Sequence, residues 1–384
     1  MEYTNQHIVF LTSGHKPTDP RLYFKEIRTL KKKYKNISII APYQKRHEPA
    51  DDVKIFDIQR YRSRYFRFGS MRSLYSEAIK INPQILHCHE PDSLFVSYLL
   101  KRKMKHIKVI YDCHEFHPET FTLHFPFLFR VLFRGFFKSL IAMMENCIVS
   151  KIDGVITVNE ILVDRFRKYN DCVLFLPNYP RIALFKSLSR KRAVLSSNQV
   201  TLIYAGALSV NRGMLRMLDV IKQLDSSINA KLVVMGKFAS PDTEKLFYKT
   251  VDAQSLHKKV VYKGNLPWEE AVQNLLEADI GLFLVSNNKR YLWGEPVKYF
   301  EYSAAGLPVI ITDLPAKRKL IKKNKNGLLV PPNNVNEAIK AIMYLIKNPE
   351  DAKKMAENGK NKIFQEYSWE SIEQRLINFY AQIS

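Results

Sequence analysis

Apolar residues in this chain gather in short runs that alternate with longer stretches of mixed character. Residues 7–11 form such a run, as a buried strand requires. A loop then leads to a helix expected to begin near Asp19, with Asp19 as cap and Pro20 in the first helical position. Runs at 37–41, 85–88, 109–111 and 155–158 follow, separated by helix-like or loop segments, which is the layout of a parallel sheet. A second series at 201–204, 231–235, 259–262, 280–285, 309–311 and 328–330 repeats the arrangement. Residues 181–200 are polar, basic and without strong periodicity. The pattern predicts two Rossmann-like α/β domains, 1–180 and 201–365, joined by a linker at 181–200 and followed by a C-terminal helix at 366–384. Nothing repeats at a short period, so a solenoid or propeller is disfavoured.

The 384 residues suit two domains of about 150 to 200 residues each better than one core. With 46% hydrophobic and 25% charged residues, large-scale disorder and fibrous classes are disfavoured. No stretch approaches the ~20 apolar residues of a membrane span, and residues 1–7 are too polar to open a secretory signal, so a cytoplasmic location is expected. Cys88, Cys113, Cys147 and Cys172 show neither CxxC pairing nor zinc spacing and read as reduced, buried thiols.

Charge alters this plain picture. Residues 1–200 hold 34 Lys and Arg against 18 Asp and Glu, so +16 of the net +23 falls there and +7 on the remainder. Such a field attracts polyanions, whether nucleic acid, an anionic membrane surface or phosphorylated substrates.

Two segments carry candidate chemistry. Gly206 follows the first strand of the second series, and Asn211-Arg212-Gly213 precedes an amphipathic helix. A strand, a glycine turn and a helix start make an anion site, because free N–H groups and the positive dipole end face one spot. A diphosphate would fit there with Arg212 as partner, and a plain β–α turn with a surface arginine is the alternative. The sequence is not GxGxxG, which argues against a dinucleotide cofactor. In residues 295–310, Pro296 can start a helix that places Lys298 and Glu301 three apart on one face near its N-terminus. A carboxylate there can accept two ribose hydroxyls while Lys298 and the amides face phosphate. The alternative is an ordinary intrahelical Lys–Glu pair. Ala304, Ala305 and Gly306 let the helix pack closely and stop.

These segments resemble retaining glycosyltransferases of the GT-B fold, the large group 1 or family 4 set that acts in envelope polysaccharide and glycolipid assembly. The resemblance runs over nearly the whole chain. It rests on Tyr204-Ala-Gly-Ala-Leu208 with Asn211-Arg-Gly213, on glycines 236, 264 and 281, on residues 296–309, 326–330 and 367–369, and in the first half on Asp19-Pro20-Arg21, His87-Cys-His-Glu90 and Tyr111-Asp-Cys-His-Glu115. It implies that Glu301 holds the donor ribose and that Arg212, in place of a usual lysine, neutralises the diphosphate. It further implies that Gly14 offers an amide near that diphosphate and that His114 sits by the transferred sugar. His114 and Glu301 are thus the expected catalytic residues, and Gly14, Gly206, Arg212, Lys298 and Glu301 the donor-binding ones. Two departures stand out. Trp293 occupies the position, eight before Glu301, where the family often has a second acid, with Glu295 near but out of register. Ala207 replaces the arginine common after the glycine matched by Gly206.

The resemblance further implies a UDP-sugar or GDP-sugar donor, retention of configuration, a saccharide or polyprenyl-linked saccharide acceptor, and no cofactor or obligatory metal. The absence of Asp-x-Asp between the later strands agrees. His15, His87, His89 and His114 lie near strand ends, where ligands gather in open parallel sheets. His87 and His89 read as structural, and His114 as the functional choice or else a satisfied interdomain residue. Residues 121–138 hold Phe121, Phe125, Phe127, Phe129, Phe133, Phe136 and Phe137, with Arg130, Arg134 and Lys138 at i, i+4 and i+8. This is the make-up of an interfacial helix, and residues 61–68 have similar content. The expectation is peripheral attachment to the inner face of an anionic membrane, against a core helix with a basic edge. No nucleic-acid signature is present, so nucleic acid is not an expected partner. A GT-B epimerase, a catalytically silent scaffold and a nucleic-acid-binding protein are the rival readings, and the oligomeric state is left open.

Overall fold

The structure is a computed structural model that describes residues 4–42, 53–58, 68–122, 127–188, 195, 199–292, 294 and 296–384; inside helices, the side chains of 68, 120–132 and 289–290 are excluded. It divides into two compact units, the first comprising Met1–Asn178 with Ile372–Ser384 and the second Tyr179–Ser371.

The first unit is built on a parallel sheet of seven strands: β1 (Thr4–Leu11), β2 (Tyr34–Ala41), β3 (Lys54–Asp57), β4 (Ile85–Cys88), β5 (Lys108–Cys113), β6 (Gly154–Thr157) and β7 (Val173–Phe175), in the order β3-β2-β1-β4-β5-β6-β7. Runs such as Ile8-Val-Phe-Leu11 are buried throughout because helices cover both faces. Strands β3 and β7 were not foreseen: they are short edge strands whose mixed exposure leaves no continuous apolar run. The helix foreseen at Asp19 begins later and differently. Asp19 Oδ1 accepts from the Arg21 and Leu22 N–H groups, and the chain then winds as a π-helix, Leu22–Ile27, before one short α-turn, Arg28–Leu30. The wider winding places Arg21, Lys25 and Glu26 inside the unit.

The second unit holds six parallel strands, β8 (Val200–Ala205), β9 (Ala230–Met235), β10 (Val260–Tyr262), β11 (Ile280–Phe283), β12 (Val309–Thr312) and β13 (Gly327–Val330), in the order β10-β9-β8-β11-β12-β13. Both sheets change direction once, between β1 and β4 and between β8 and β11. In open α/β sheets the crevice at the carboxyl ends beside such a switch is where ligands bind.

Three expectations need adjustment. The segment 181–200 is not featureless: Ala183–Ser187 is a helix whose buried Phe185 meets Trp268 edge to face within the second unit. The C-terminal helix spans Trp369–Ile383, and its later part belongs to the first unit, where Phe379 and Ile383 press on the start of β6. Gly154 is required there, since a Cβ would stand 2.6 Å from Ile383 Cδ1 and 2.7 Å from Phe379 Cζ. Of the cysteines, Cys88 and Cys113 are buried, whereas Cys147 is exposed and Cys172 half-buried.

Candidate functional site

In the second unit the predicted donor residues converge beyond the end of β8. The strand delivers Tyr204 and Ala205 to a turn at Gly206. Ser209 then caps a 3-10 turn, Val210–Arg212, and Gly213, at φ +85°, starts the helix Met214–Gln223. Gly213 is there for space as well as for its conformation, because a Cβ would fall 2.0 Å from the Leu284 carbonyl oxygen. The helix Val297–Ala304 approaches the same turn. Its Lys298 Cε lies 3.3 Å from where a Cβ on Gly206 would stand, and Tyr204 Oη lies at the same 3.3 Å. Gly206, Arg212, Lys298 and Glu301 are therefore all associated with one turn and one helix start.

The interactions of that helix explain its fixed position. Tyr302 Oη accepts the Ala205 N–H at 2.9 Å, tying the helix to the end of β8. On its other side Tyr299 Oη donates to Asn326 Oδ1 at 2.9 Å, and Asn326 Nδ2 donates to Ser303 Oγ at 2.8 Å. Ala304 and Ala305 are buried, and Gly306 turns the chain with φ +68°. Lys317, itself buried, donates to the carbonyls of Tyr291 and Gly294 and so braces the loop leading to Pro296. Trp293 and Glu295, the departures in this loop, lie outside the described residues.

Glu301 is 7% exposed, and its Oε2 receives Lys298 Nζ at 2.7 Å. The pair is the intrahelical one that sequence left as the alternative, but its setting differs from a surface pair. The carboxylate is buried, the ammonium is only half-buried, and both adjoin a glycine turn. Tyr204, which the sequence reading did not single out, donates to the Ala207 carbonyl at 2.9 Å. Burial pushes its phenol up to about 12, with the neighbouring Arg212 cation opposing.

In the first unit the corresponding turn follows β1. Gly14 N–H does not stand open to solvent: it donates to Glu90 Oε1 at 3.0 Å, while Ser13 N–H donates to Oε2 at 3.2 Å and Thr12 Oγ1 to Oε1 at 2.6 Å. An internal carboxylate thus occupies the amides where a diphosphate contact was expected. Glu90 also belongs to a reciprocal cap with Ser93 at the start of the helix Pro91–Lys103. His15 joins the group through Asp19, Nδ1 to Oδ2 at 3.2 Å. Burial opposes its protonation, but the Asp19 and Glu90 carboxylates win and raise it to about 9.

His114 is fixed by Asp112, Nε2 to Oδ2 at 2.7 Å, and its ring meets His15 and His89 at centroid distances of 5.7 and 5.4 Å. Asp112 is fully buried and also accepts from Arg21 Nε at 3.0 Å and Nη2 at 3.2 Å. His87 and His89 are fully buried too, and burial lowers both imidazoles, which keeps them neutral. Asp112, Glu26 and Glu90 were not foreseen as organisers. One available signal was spacing: His87 and His89, like Asp112 and His114, are two apart at strand ends and so share a face.

On the proposed membrane segment, Phe127–Val149 is a helix of 23 residues, and among the described side chains Phe133, Phe136, Met143 and Met144 are exposed. Arg134 and Lys138 do not stand as a free stripe, since both pair with Glu119. The side chains of Phe121, Phe125, Phe127, Phe129 and Arg130, and residues 61–67 with the Phe68 side chain, lie outside the described residues. Among the described residues no helix is long and apolar enough to cross a membrane.

Comparison with known proteins agrees with this layout. Residues 24–178 match the model described as Glycosyltransferase Family 4, and residues 185–362 the one described as Glycosyl transferases group 1. An uncharacterized glycosyltransferase of Methanocaldococcus jannaschii is 26% identical over 254 residues, 60% of this chain and 66% of the relative. The chitobiosyldiphosphodolichol beta-mannosyltransferase of Candida albicans is 24% identical over 225 residues, 55% of this chain and 48% of that protein. The chain spans about half to two thirds of the length of the first curated relatives it matches. Among solved structures, sucrose-phosphate synthase from Thermosynechococcus elongatus superposes with a TM-score of 0.77 at 15% identity over 99% of both chains. Anabaena HepE in complex with UDP gives 0.73 at 15% identity over 98% of this chain and 100% of the other. Two Rossmann-like units on the GT-B plan, each with a matching family model, make this chain a member of the group 1, family 4 glycosyltransferases.

Proposed function

We propose that this protein transfers a sugar from a nucleoside-diphosphate sugar, a UDP-sugar first and a GDP-sugar second, to a saccharide or lipid-linked saccharide acceptor with retention of configuration. The observation that carries the reading is the Lys298–Glu301 pair at the start of the Val297–Ala304 helix, beside the Gly206 turn. A buried carboxylate paired on one oxygen keeps acceptor capacity for ribose hydroxyls, and hydrogen bonds to a charged acceptor are the strong ones. The Lys298 ammonium, the Arg212 guanidinium and the helix dipole then face the departing diphosphate, supplying the electrostatic stabilisation that a metal supplies in other transferases. His114, held by Asp112, would contact the sugar, and no metal is assigned to the transfer step. Support for UDP comes from HepE, whose structures hold UDP and UDP-glucose. Support for a lipid-linked acceptor comes from the Candida relative, named for a dolichol diphosphate saccharide.

A thermal-shift screen of the protein against UDP, GDP, ADP and their common sugars, run beside Glu301→Ala, tests this, because a ligand of the native state raises the melting temperature. One nucleotide should stabilise the wild type and not the variant. No shift with any nucleotide would remove the transferase reading and bring the scaffold or nucleic-acid reading forward.

Peripheral membrane attachment belongs to the same proposal and rests on the helix Phe127–Val149. Phe133, Phe136 and Met143 fall at spacings of three and seven, so they share one exposed stripe. Such a stripe suits the headgroup boundary, and the excess of basic residues in the first half suits anionic lipid. Sedimentation with anionic vesicles should be lost in Phe133→Ser/Phe136→Ser; equal sedimentation of the two proteins would end this part of the proposal.

A further inference from the structure

Glu26, His87, His89 and Asp112 meet near the carboxyl ends of β1, β4 and β5, fully buried, and the donor chemistry proposed above uses none of them directly. One oxygen or ring nitrogen from each lies within 4.8 Å of the others. His87 Nε2 is 3.7 Å from Glu26 Oε2 and 3.8 Å from Asp112 Oδ2, and His89 Nδ1 is 3.7 Å from the same Asp112 oxygen. These separations are too long for hydrogen bonds. They are only slightly wider than the ~3.3 Å between neighbouring donors placed ~2.0 Å from a tetrahedral zinc ion.

The bonding needs of the cluster distinguish a proton from a metal. Arg21 lies against both carboxylates, with Nε 2.8 Å from Glu26 Oε1 and 3.0 Å from Asp112 Oδ2, and so offsets one of two negative charges. A proton shared within the cluster would offset the other. A proton does nothing for His87 Nε2 or for either ring nitrogen of His89, all of which are buried without a hydrogen-bond partner. A divalent ion in place of the proton leaves one net positive charge with Arg21 and engages the imidazoles as well. The surroundings already have the form of an outer coordination layer. His87 Nδ1 is bonded to Tyr380 Oη at 2.5 Å, which turns Nε2 toward the cluster, and Arg21 Nη2 holds the other oxygen of Asp112, Oδ1, at 3.2 Å.

We propose that Glu26, His87, His89 and Asp112 form a structural site for a divalent transition metal, zinc first, inside the first unit. Two neutral imidazoles with two carboxylates is a donor set that suits zinc. The ion would secure Asp112 and through it the orientation of His114. This site stands whether or not the transfer reaction proposed above is correct.

Metal analysis of untagged protein purified without chelator, and of protein refolded with Zn2+ or Co2+ to allow for burial, tests the proposal. About one ion per chain should survive desalting, and the Co2+ form should show the strong visible absorption of a tetrahedral site. Glu26→Gln and His89→Ala should abolish retention. Tyr380→Phe, which keeps all four ligands, should weaken it by about 10- to 100-fold. His257→Ala, which removes an exposed imidazole, should leave it unchanged. Should the ligand variants fail to fold, Tyr380→Phe alone decides. Folded wild-type protein that holds no ion by either route overturns the proposal, as does an ion whose retention Tyr380→Phe leaves untouched.

Discussion

The turns after β1 and after β8 occupy the same place in two similar sheets, yet they use charge in opposite ways. After β1 the amides of Ser13 and Gly14 are met by the chain's own Glu90, and Asp112, Glu26, Arg21 and four histidines bind or face one another inside the unit. After β8 few charges are present, and Lys298 and Arg212 keep partial exposure. The first arrangement meets its amides with an internal carboxylate; in the second Lys298 pairs with Glu301, and both Lys298 and Arg212 stay half-buried. A shared fold thus leaves the internal partners of the two turns free to differ.

The most effective way to break this contrast is to remove the one buried carboxylate of the second turn. Glu301→Ala should weaken nucleotide binding by about 10²- to 10⁴-fold, as expected for losing two hydrogen bonds to a charged acceptor at ~1.5–3 kcal/mol each. Equilibrium binding with a fluorescent nucleotide would show it, and the melting temperature without ligand should change little by comparison. In the first unit the equivalent loss falls on stability. Asp112→Asn leaves Arg21 buried without its full partner and should cost about 3–5 kcal/mol in urea unfolding. A near-neutral result would show that Glu26 alone balances Arg21.

Backbone rather than charge should rank next. Gly213→Ala places a Cβ against the Leu284 carbonyl and forces a left-handed alanine. The combined expectation is roughly 2–4 kcal/mol of destabilisation, with nucleotide affinity falling as the turn shifts. Lys298→Ala should weaken diphosphate binding about tenfold, and more at low salt than at high, because the interaction is with a screened surface charge. A salt-independent loss would mean that Lys298 acts by positioning Glu301.

The smallest effect concerns the clasp between His117–Thr122 and the exposed aromatic helix. A hydrogen bond from Lys138, with Arg134 adding to it, holds the Glu119 carboxyl below its usual 4.5. A lowered folded-state value means stabilisation that is present above pH 4.5 and lost as pH falls further. The stability difference between wild type and Glu119→Gln, read from thermal unfolding, should therefore be small at pH 7, within the ~0.2–1 kcal/mol of exposed pairs, and shrink as pH falls below 4.5.

Much of this molecule was legible in its sequence because buried parallel strands are continuous apolar runs. Ile85–Cys88 coincides with its prediction, and Ala230–Met235 begins one residue before its own. Edge strands such as Lys54–Asp57 escaped because half-exposed backbone needs no such run. The helix at Val297 was legible for a similar reason: Pro296, Lys298, Glu301 and the Ala-Ala-Gly stop are local signals. Interactions between distant residues were not. Glu90 meeting Gly14 from 76 residues away and Tyr380 meeting His87 from 293 away leave no trace in spacing. The π-winding at Leu22–Ile27 was equally hidden, since the residues that stabilise it, Asp112 opposite Arg21 and Asn178 opposite Lys25, are remote in the chain.

Calorimetric titration of wild type and Glu301→Gln with UDP at low salt addresses the central claim most directly, since the substitution removes the carboxylate charge and hardly alters shape. The account predicts one UDP site per chain in the wild type and about 100-fold weaker binding in the variant, with the fold of both intact by circular dichroism. Equal affinity in the two proteins, or no heat from UDP, GDP or ADP with the wild type, would contradict it.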